Sequence, residues 1–216
     1  MSTSLAGTAP TEHCPPSLSS VTDRAALDPS GASNQNPSGI SLWQLLREDY
    51  QTHDNKLLEQ GFWAIAVHRF GNWRMGIHNR VLRWPLSVLY KLLYRFVEWT
   101  CGISLPYTVR VGRQVRLWHH GGMILNAAAI GDRVQVRQNT TFGVVRTQHN
   151  FELPILEDDS DIGVGACILG EIRVGRGAVI GANAVVLKDV PDYAVAVGVP
   201  AVVVKQRTPP ADESDS

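Results

Sequence analysis

Between Leu156 and Lys188 the chain repeats every six residues: Leu156, Ile162, Ile168, Val174, Ile180 and Val186 are all aliphatic. Gly163, Gly175 and Gly181 each follow one of them directly, and Gly170 follows Leu169. An α-helix repeats every 3.6 residues and a strand every 2, so neither accounts for this period. A six-residue period is that of a parallel β-helix, in which each hexapeptide supplies one short strand. Three strands complete a triangular coil, with the aliphatic residue of each turned to the axis. The residue two places earlier has to be small, and Ser160, Ala166, Ala178 and Ala184 satisfy this while Ile172 departs from it.

The same period is traceable upstream in two registers. Leu105, Val111 and Leu117 hold one; Ile124, Ile130, Val136 and Phe142 hold the other. They differ by one residue, slipped within Leu117–Ile124, the interval that contains WHHGGM. An inserted residue bulges the coil and re-aims side chains, as bulges beside functional sites do. After Phe142 the period lapses until Leu156, fourteen positions on, which predicts a loop leaving the coil. Insertions on one face of a repeat commonly carry function.

Ahead of the coil, residues 40–100 read as a helical domain. Ser41 is placed to cap a helix carrying Leu42, Leu45 and Leu46. Phe62, Ile65, Ala66, Phe70 and Trp73 recur at helical spacing. A third segment spans 81–99, with Pro85 expected in its first turn. Arg83, Lys91, Arg95 and Glu98 interrupt its apolar run, so it is no membrane span, and membrane contact is not expected. Residues 1–39 are rich in small and polar residues and read as a disordered tail, as do 207–216. The coil then occupies 101–206.

Twenty basic residues balance twenty acidic ones, which gives no drive toward nucleic acid. Cys14, Cys101 and Cys167 form no CxxC pair and no disulfide framework, and no secretory signal is evident. These features suit a cytoplasmic protein.

His119 and His120 stand in the register slip, between Trp118 and Gly121-Gly122. A histidine can accept a proton at neutral pH. Spacing alone serves a structural pair equally well. His149 lies in the loop, and Asn126 either satisfies a corner or meets a ligand. Lys188 and Lys205 could face solvent or a phosphate-bearing cofactor.

The repeat, together with GFWAIAVHRFGNW, LWHHGGMILN and VAVGVPAVVVK, resembles the serine O-acetyltransferases. The nearest likeness is to the divergent branch associated with exopolysaccharide synthesis, and it covers residues 41–206. It implies an α + β chain in which a helical region precedes a left-handed parallel β-helix. It also implies a homotrimer or dimer of trimers, with sites between subunits, acetyl-CoA as donor and no metal. Carried over, the family's catalytic histidine falls on His119, with His120 beside it. There it would be the general base that takes a proton from a small-molecule hydroxyl acceptor, serine by default. Asp54, Asn126 and His149 would face the acceptor. Gly163, Gly165, Ala166, Gly181, Ala182, Lys188, Gly198, Pro200 and Lys205 would line the acetyl-CoA channel.

The departures from the family pattern are specific. Its histidine-pairing aspartate is replaced within Ile103-Ser104-Leu105, and a second aspartate by Trp118. Its arginine–histidine pair before a loop proline reads Glu152-Leu153-Pro154 here, which disfavours a free carboxylate and brings in a sugar hydroxyl as alternative acceptor. The ending ADESDS, in place of a terminal isoleucine, argues against docking of cysteine synthase. Two readings of other classes remain. A zinc hydratase of the γ-carbonic anhydrase type would need His119, His120 and His149 as ligands, although adjacent strand residues point to opposite faces. A non-catalytic scaffold is the other.

Overall fold

The computed structural model describes residues 27–28, 30–119, 121–145 and 152–210. Three helices come first: α1 (Leu42–Thr52), α2 (Gln60–Trp73) and α3 (Arg80–Cys101). Ser41 and Gln44 form a reciprocal capping box that starts α1. Asn79 caps α3, and Gly102 ends it in the left-handed conformation at φ 63°. Pro85 is the sixth residue of α3, not a first-turn residue. The bond it removes would have ended at the carbonyl of Val81, an exposed residue whose carbonyl water can satisfy. Among the described residues no helix is long and apolar enough to cross a membrane.

The strands then wind through five coils. The first holds β1 (Ile103–Ser104), β2 (Arg110–Val111) and β3 (Arg116–Leu117); the second, β4 (Met123–Leu125), β5 (Ala129–Ile130) and β6 (Gln135–Val136). The third holds β7 (Thr141–Gly143), β8 (Ile155–Leu156) and β9 (Asp161–Ile162); the fourth, β10 (Cys167–Leu169), β11 (Arg173–Val174) and β12 (Val179–Ile180). β13 (Val185–Val186) and β14 (Ala194–Gly198) form the fifth, and β15 (Ala201–Gln206) folds back antiparallel on β14. Three parallel sheets result: β1-β4-β7-β10-β13, then β2-β5-β8-β11, then β3-β6-β9-β12-β14. This is the left-handed parallel β-helix behind a helical region that the hexapeptide period and the family resemblance lead one to expect.

The axis is filled by Leu105, Val111, Leu117, Ile130, Val136, Phe142 and the six aliphatics of the downstream repeat, none more than 3% exposed. The small positions Ser160, Ala166, Ala178 and Ala184 are fully buried. One expectation fails at the slip. Ile124 does not point inward: it is 53% exposed, and Leu125 takes the axial place, paired with Phe142. Axial residues are therefore eight apart from Leu117 to Leu125 and five apart from Leu125 to Ile130. The corner after β3 gains two residues and the next corner loses one.

The helices close the open N-terminal edge of the coil, where carbonyls would otherwise be unpaired. His68 Nε2 donates to Val109 O at 2.9 Å. Arg69 donates to Val111 O at 2.7 Å and Gly112 O at 2.6 Å, and pairs with Asp49 at 3.0 Å with both side chains fully buried. Arg113 grips Glu48 of α1 through two bonds. Arg74 lies between the rings of Tyr90 and Tyr107, 4.5 Å from each centroid.

Of the segment 1–39 read as a disordered tail, the described residues make contacts with the helices and the coil. Gln35 donates to Asp28 O and Thr108 O, and Asn36 donates to Arg69 O. Leu27 packs against the buried pair Ala129 and Ile155. Composition understates this segment because its contacts are polar bonds to backbone atoms far along the chain.

Candidate active site

The edge of the prism between the β3 sheet and the β4 sheet carries most of the residues singled out from sequence. In the later coils one residue separates the two corner positions here: Gln138, Val164 and Ala182. In the first coil three sequence positions, 119–121, lie between Trp118 and Gly122. The stacking that establishes this is backbone bonding: Asn139 N to Gly121 O, Gly165 N to Gln138 O and Asn183 N to Val164 O. His119 is exposed and sits at φ 63°, a left-handed conformation that a histidine seldom adopts. The two-residue excess turns it out of the ladder.

Its strand is held rigidly. His53, buried in the bend after α1, donates from Nδ1 to Asp49 O at 2.7 Å and accepts Leu117 N–H at Nε2, 3.4 Å away. Burial, ahead of every other influence, pushes the His53 pKa down. Gly61 of α2 lies directly on Leu117: a Cβ there would stand 2.4 Å from the Leu117 carbonyl oxygen. On the outer side, Asp54 holds the Arg116 guanidinium through two bonds of 3.1 and 2.5 Å. That guanidinium lies over the Trp118 ring, 3.6 Å from its centroid, and Trp118 Nε1 donates to Gln135 Oε1 at 2.7 Å. The Asp54 carboxyl is held below the usual carboxylate range, chiefly by its hydrogen bonds from Arg116. Trp118 in turn stands beside His119, ring centroids 6.4 Å apart. Sequence reading singled out Asp54 but passed over Arg116, His53 and Gly61. An arginine at an outward strand position three residues before a candidate base was the one signal available.

No described carboxylate is hydrogen-bonded to the His119 imidazole. Ser104, in the segment where the resembled family carries an aspartate, instead bonds Tyr94 at 2.8 Å. His120 and His149 lie outside the described residues. Asn126 is half-buried at the opposite end of β4, away from the His119 corner.

Gly163, Gly165, Ala166, Gly181, Ala182 and Gly198 all lie along the same edge as His119, one coil after another. With about 4.8 Å between strands, Ala182 is about 14 Å from the His119 corner. The room beside Gly163, Gly165 and Gly181 is taken by the next coil, and Ala166 is fully buried, so coil packing alone requires those small residues. What they leave along the edge is a narrow strip of backbone and short side chains, to which an extended, largely apolar arm can lie close. Lys188, Pro200 and Lys205 are exposed at the C-terminal end, with Pro200 in the β14–β15 turn. Among the described residues no group of three or more histidine, cysteine or acidic side chains is gathered to hold a metal.

Two cavities of the single chain lie elsewhere. One of about 220 Å³ is enclosed by residues 33–38, Arg110 and Asp158; the other, about 430 Å³, lies by Arg133, Tyr193 and Arg207. The exposed His119 lines neither of them.

No protein-family model matches the chain. It is 35% identical over 151 residues to the serine acetyltransferase of Bacillus pumilus, covering 69% of this chain and 66% of that one. It is 30% identical over 170 residues to the serine acetyltransferase of Bacillus subtilis, covering 76% and 78%. The structure of soybean serine acetyltransferase complexed with serine superposes with a TM-score of 0.65 at 28% identity, over 76% of this chain and 70% of that one. The chain belongs to the serine acetyltransferase family. It spans about two thirds of the Bacillus pumilus relative's length.

Proposed function

We propose that this protein transfers an acetyl group from acetyl-CoA to the hydroxyl of L-serine, with His119 as general base. The observation that carries the reading is the place of His119. It is turned out of the coil at an overfilled corner, at the head of an edge of small residues, in a chain whose relatives are serine acetyltransferases.

A hydroxyl is a poor nucleophile at its own pKa, so a base within hydrogen-bond reach is needed. His119 takes the serine hydroxyl proton, the oxygen forms its bond to the thioester carbonyl carbon, and the carbon–sulfur bond breaks. The departing sulfur receives the proton from the imidazolium, which returns His119 to its neutral form. Asp54 meets the acceptor's ammonium from the helical side. Lys188 and Lys205 meet the donor's phosphates as point charges. The open edge and the exposed apolar Ile124 on β4 support a homotrimer, in which the next subunit closes the site.

The deciding experiment is acetyl-CoA consumption by the purified full chain with L-serine, L-homoserine, and sugar and nucleotide-sugar acceptors. Serine-dependent release of free thiol is expected. Turnover confined to sugars would refute the serine assignment and keep the transferase, whereas no turnover across the panel would favour a scaffold.

A further inference from the structure

We infer that Arg116 reads the acceptor's carboxylate, which rests on the proposed function and assigns its acceptor side. L-Serine at neutral pH carries a carboxylate and an ammonium on the carbon next to its reacting CH2OH. A base that selects this hydroxyl therefore needs a cation at a fixed span from itself.

Arg116 has that span. Its Cζ is 3.6 Å from the Trp118 ring centroid, which is 6.4 Å from that of His119; laid end to end, these place the guanidinium within about 10 Å of the imidazole. Serine bridges about 9 Å between ring nitrogen and guanidinium nitrogen: roughly 3.5 Å from hydroxyl to carboxylate oxygen, with a hydrogen bond at each end. Arg137, one coil on, is bonded to Asp161 and the Ile162 carbonyl of the following coil, and Arg133 is bonded to Asp159.

Arg116 also has the donors. Asp54 occupies Nη1 and Nη2, and among the described residues Nε–H has no acceptor. A guanidinium offers five N–H groups in a planar fork, so its Nε side remains open to a second carboxylate. The Trp118 indole covers one face, Gln135 fixes the indole, and the Arg116 side chain is only 17% exposed. The fork is therefore oriented before substrate arrives, which lowers the entropy lost on binding. Asp54 beside it supplies the charge for the ammonium, so the Asp54–Arg116 pair matches a zwitterion.

The test is steady-state kinetics of the full chain with L-serine and with L-serinamide, which keeps the hydroxyl and the ammonium but lacks the carboxylate. Arg116→Gln is expected to raise the serine KM roughly ten- to hundredfold while the acetyl-CoA KM stays in place. The preference for serine over serinamide should collapse, and Arg116→Lys should restore part of it. Equal losses on both acceptors, with the preference intact, would overturn the assignment and leave Arg116 as a strut for Trp118. If Arg116→Gln fails to fold, the comparison is read from Arg116→Lys, where an unchanged preference for serine over serinamide and an unmoved serine KM would overturn it. Wild-type protein that fails to acetylate serine would overturn the functional reading and this one together. Wild-type turnover with an unchanged preference in Arg116→Gln overturns this one alone.

Discussion

Gly61 of α2 and Leu117 of β3 are in backbone contact: a single added methyl at Gly61 would come within 2.4 Å of the Leu117 carbonyl oxygen and 2.9 Å of its Cβ. The contact fixes the helical region against the strand that leads into His119. Gly61→Ala must push α2 off the coil, because a backbone oxygen cannot swing away. Overpacking of this kind costs about 1–3 kcal/mol. The expected outcome is a lower denaturant midpoint with an unchanged m-value, together with reduced kcat. A variant with wild-type stability and activity would show that this contact does not position the corner.

Removing the base separates chemistry from binding. His119→Ala should lower kcat by about a hundred- to ten-thousandfold. Acetyl-CoA affinity, measured by calorimetry, should be retained, because the strip along Gly163 to Gly198 is untouched. Unimpaired turnover would remove His119 as the base.

Asp49 and Arg69 form an ion pair with no solvent exposure, and Arg69 also caps Val111 and Gly112. Asp49→Ala leaves a guanidinium buried without its counter-charge, which costs about 3–5 kcal/mol. The expected result is a large drop in the chemical-denaturation free energy, far exceeding that of Ser41→Ala, where only a cap is lost. Equal effects would mean that water reaches Arg69.

His68 governs part of the acid stability. Complete burial, followed by the nearby Arg69 charge, lowers its pKa from 6.5 to about 3. The unfolded chain therefore binds a proton below about pH 6.5 that the folded chain refuses until about pH 3. This contribution is fully present above pH 6.5 and is lost as the pH falls through that window. Burial lowers the pKa of His53 too, and the sign is the same. Burial raises the pKa of Glu157 and Asp158, which oppose it where carboxylates titrate. The Tm should fall between pH 7 and pH 5, more steeply in the wild type than in His68→Gln. Parallel slopes would place the sensitivity elsewhere.

Much of the site was legible from local pattern. The overfilled corner shows in the sequence as a one-residue slip, and the slip pointed to His119. What local pattern could not resolve was how the excess is divided between neighbouring corners. A net gain of one residue is equally a corner gaining one, or a corner gaining two and the next losing one. Packing decided for the second, since Leu125 fits the axis against Phe142 and Ile124 is left outside.

The sequence by itself determined the coil, because a six-residue period is read within a few residues and each hexapeptide repeats the same choice of axial aliphatic, small neighbour and turn. Only the tertiary structure decided what surrounds His119. Asp54 reaches Arg116 across 62 positions of sequence, His68 reaches Val109 across 41, and Gln35 reaches Thr108 across 73. No periodicity reports such pairs. They depend on the helices lying across the unpaired edge of the first coil, where exposed carbonyls need donors and only a folded chain can bring them.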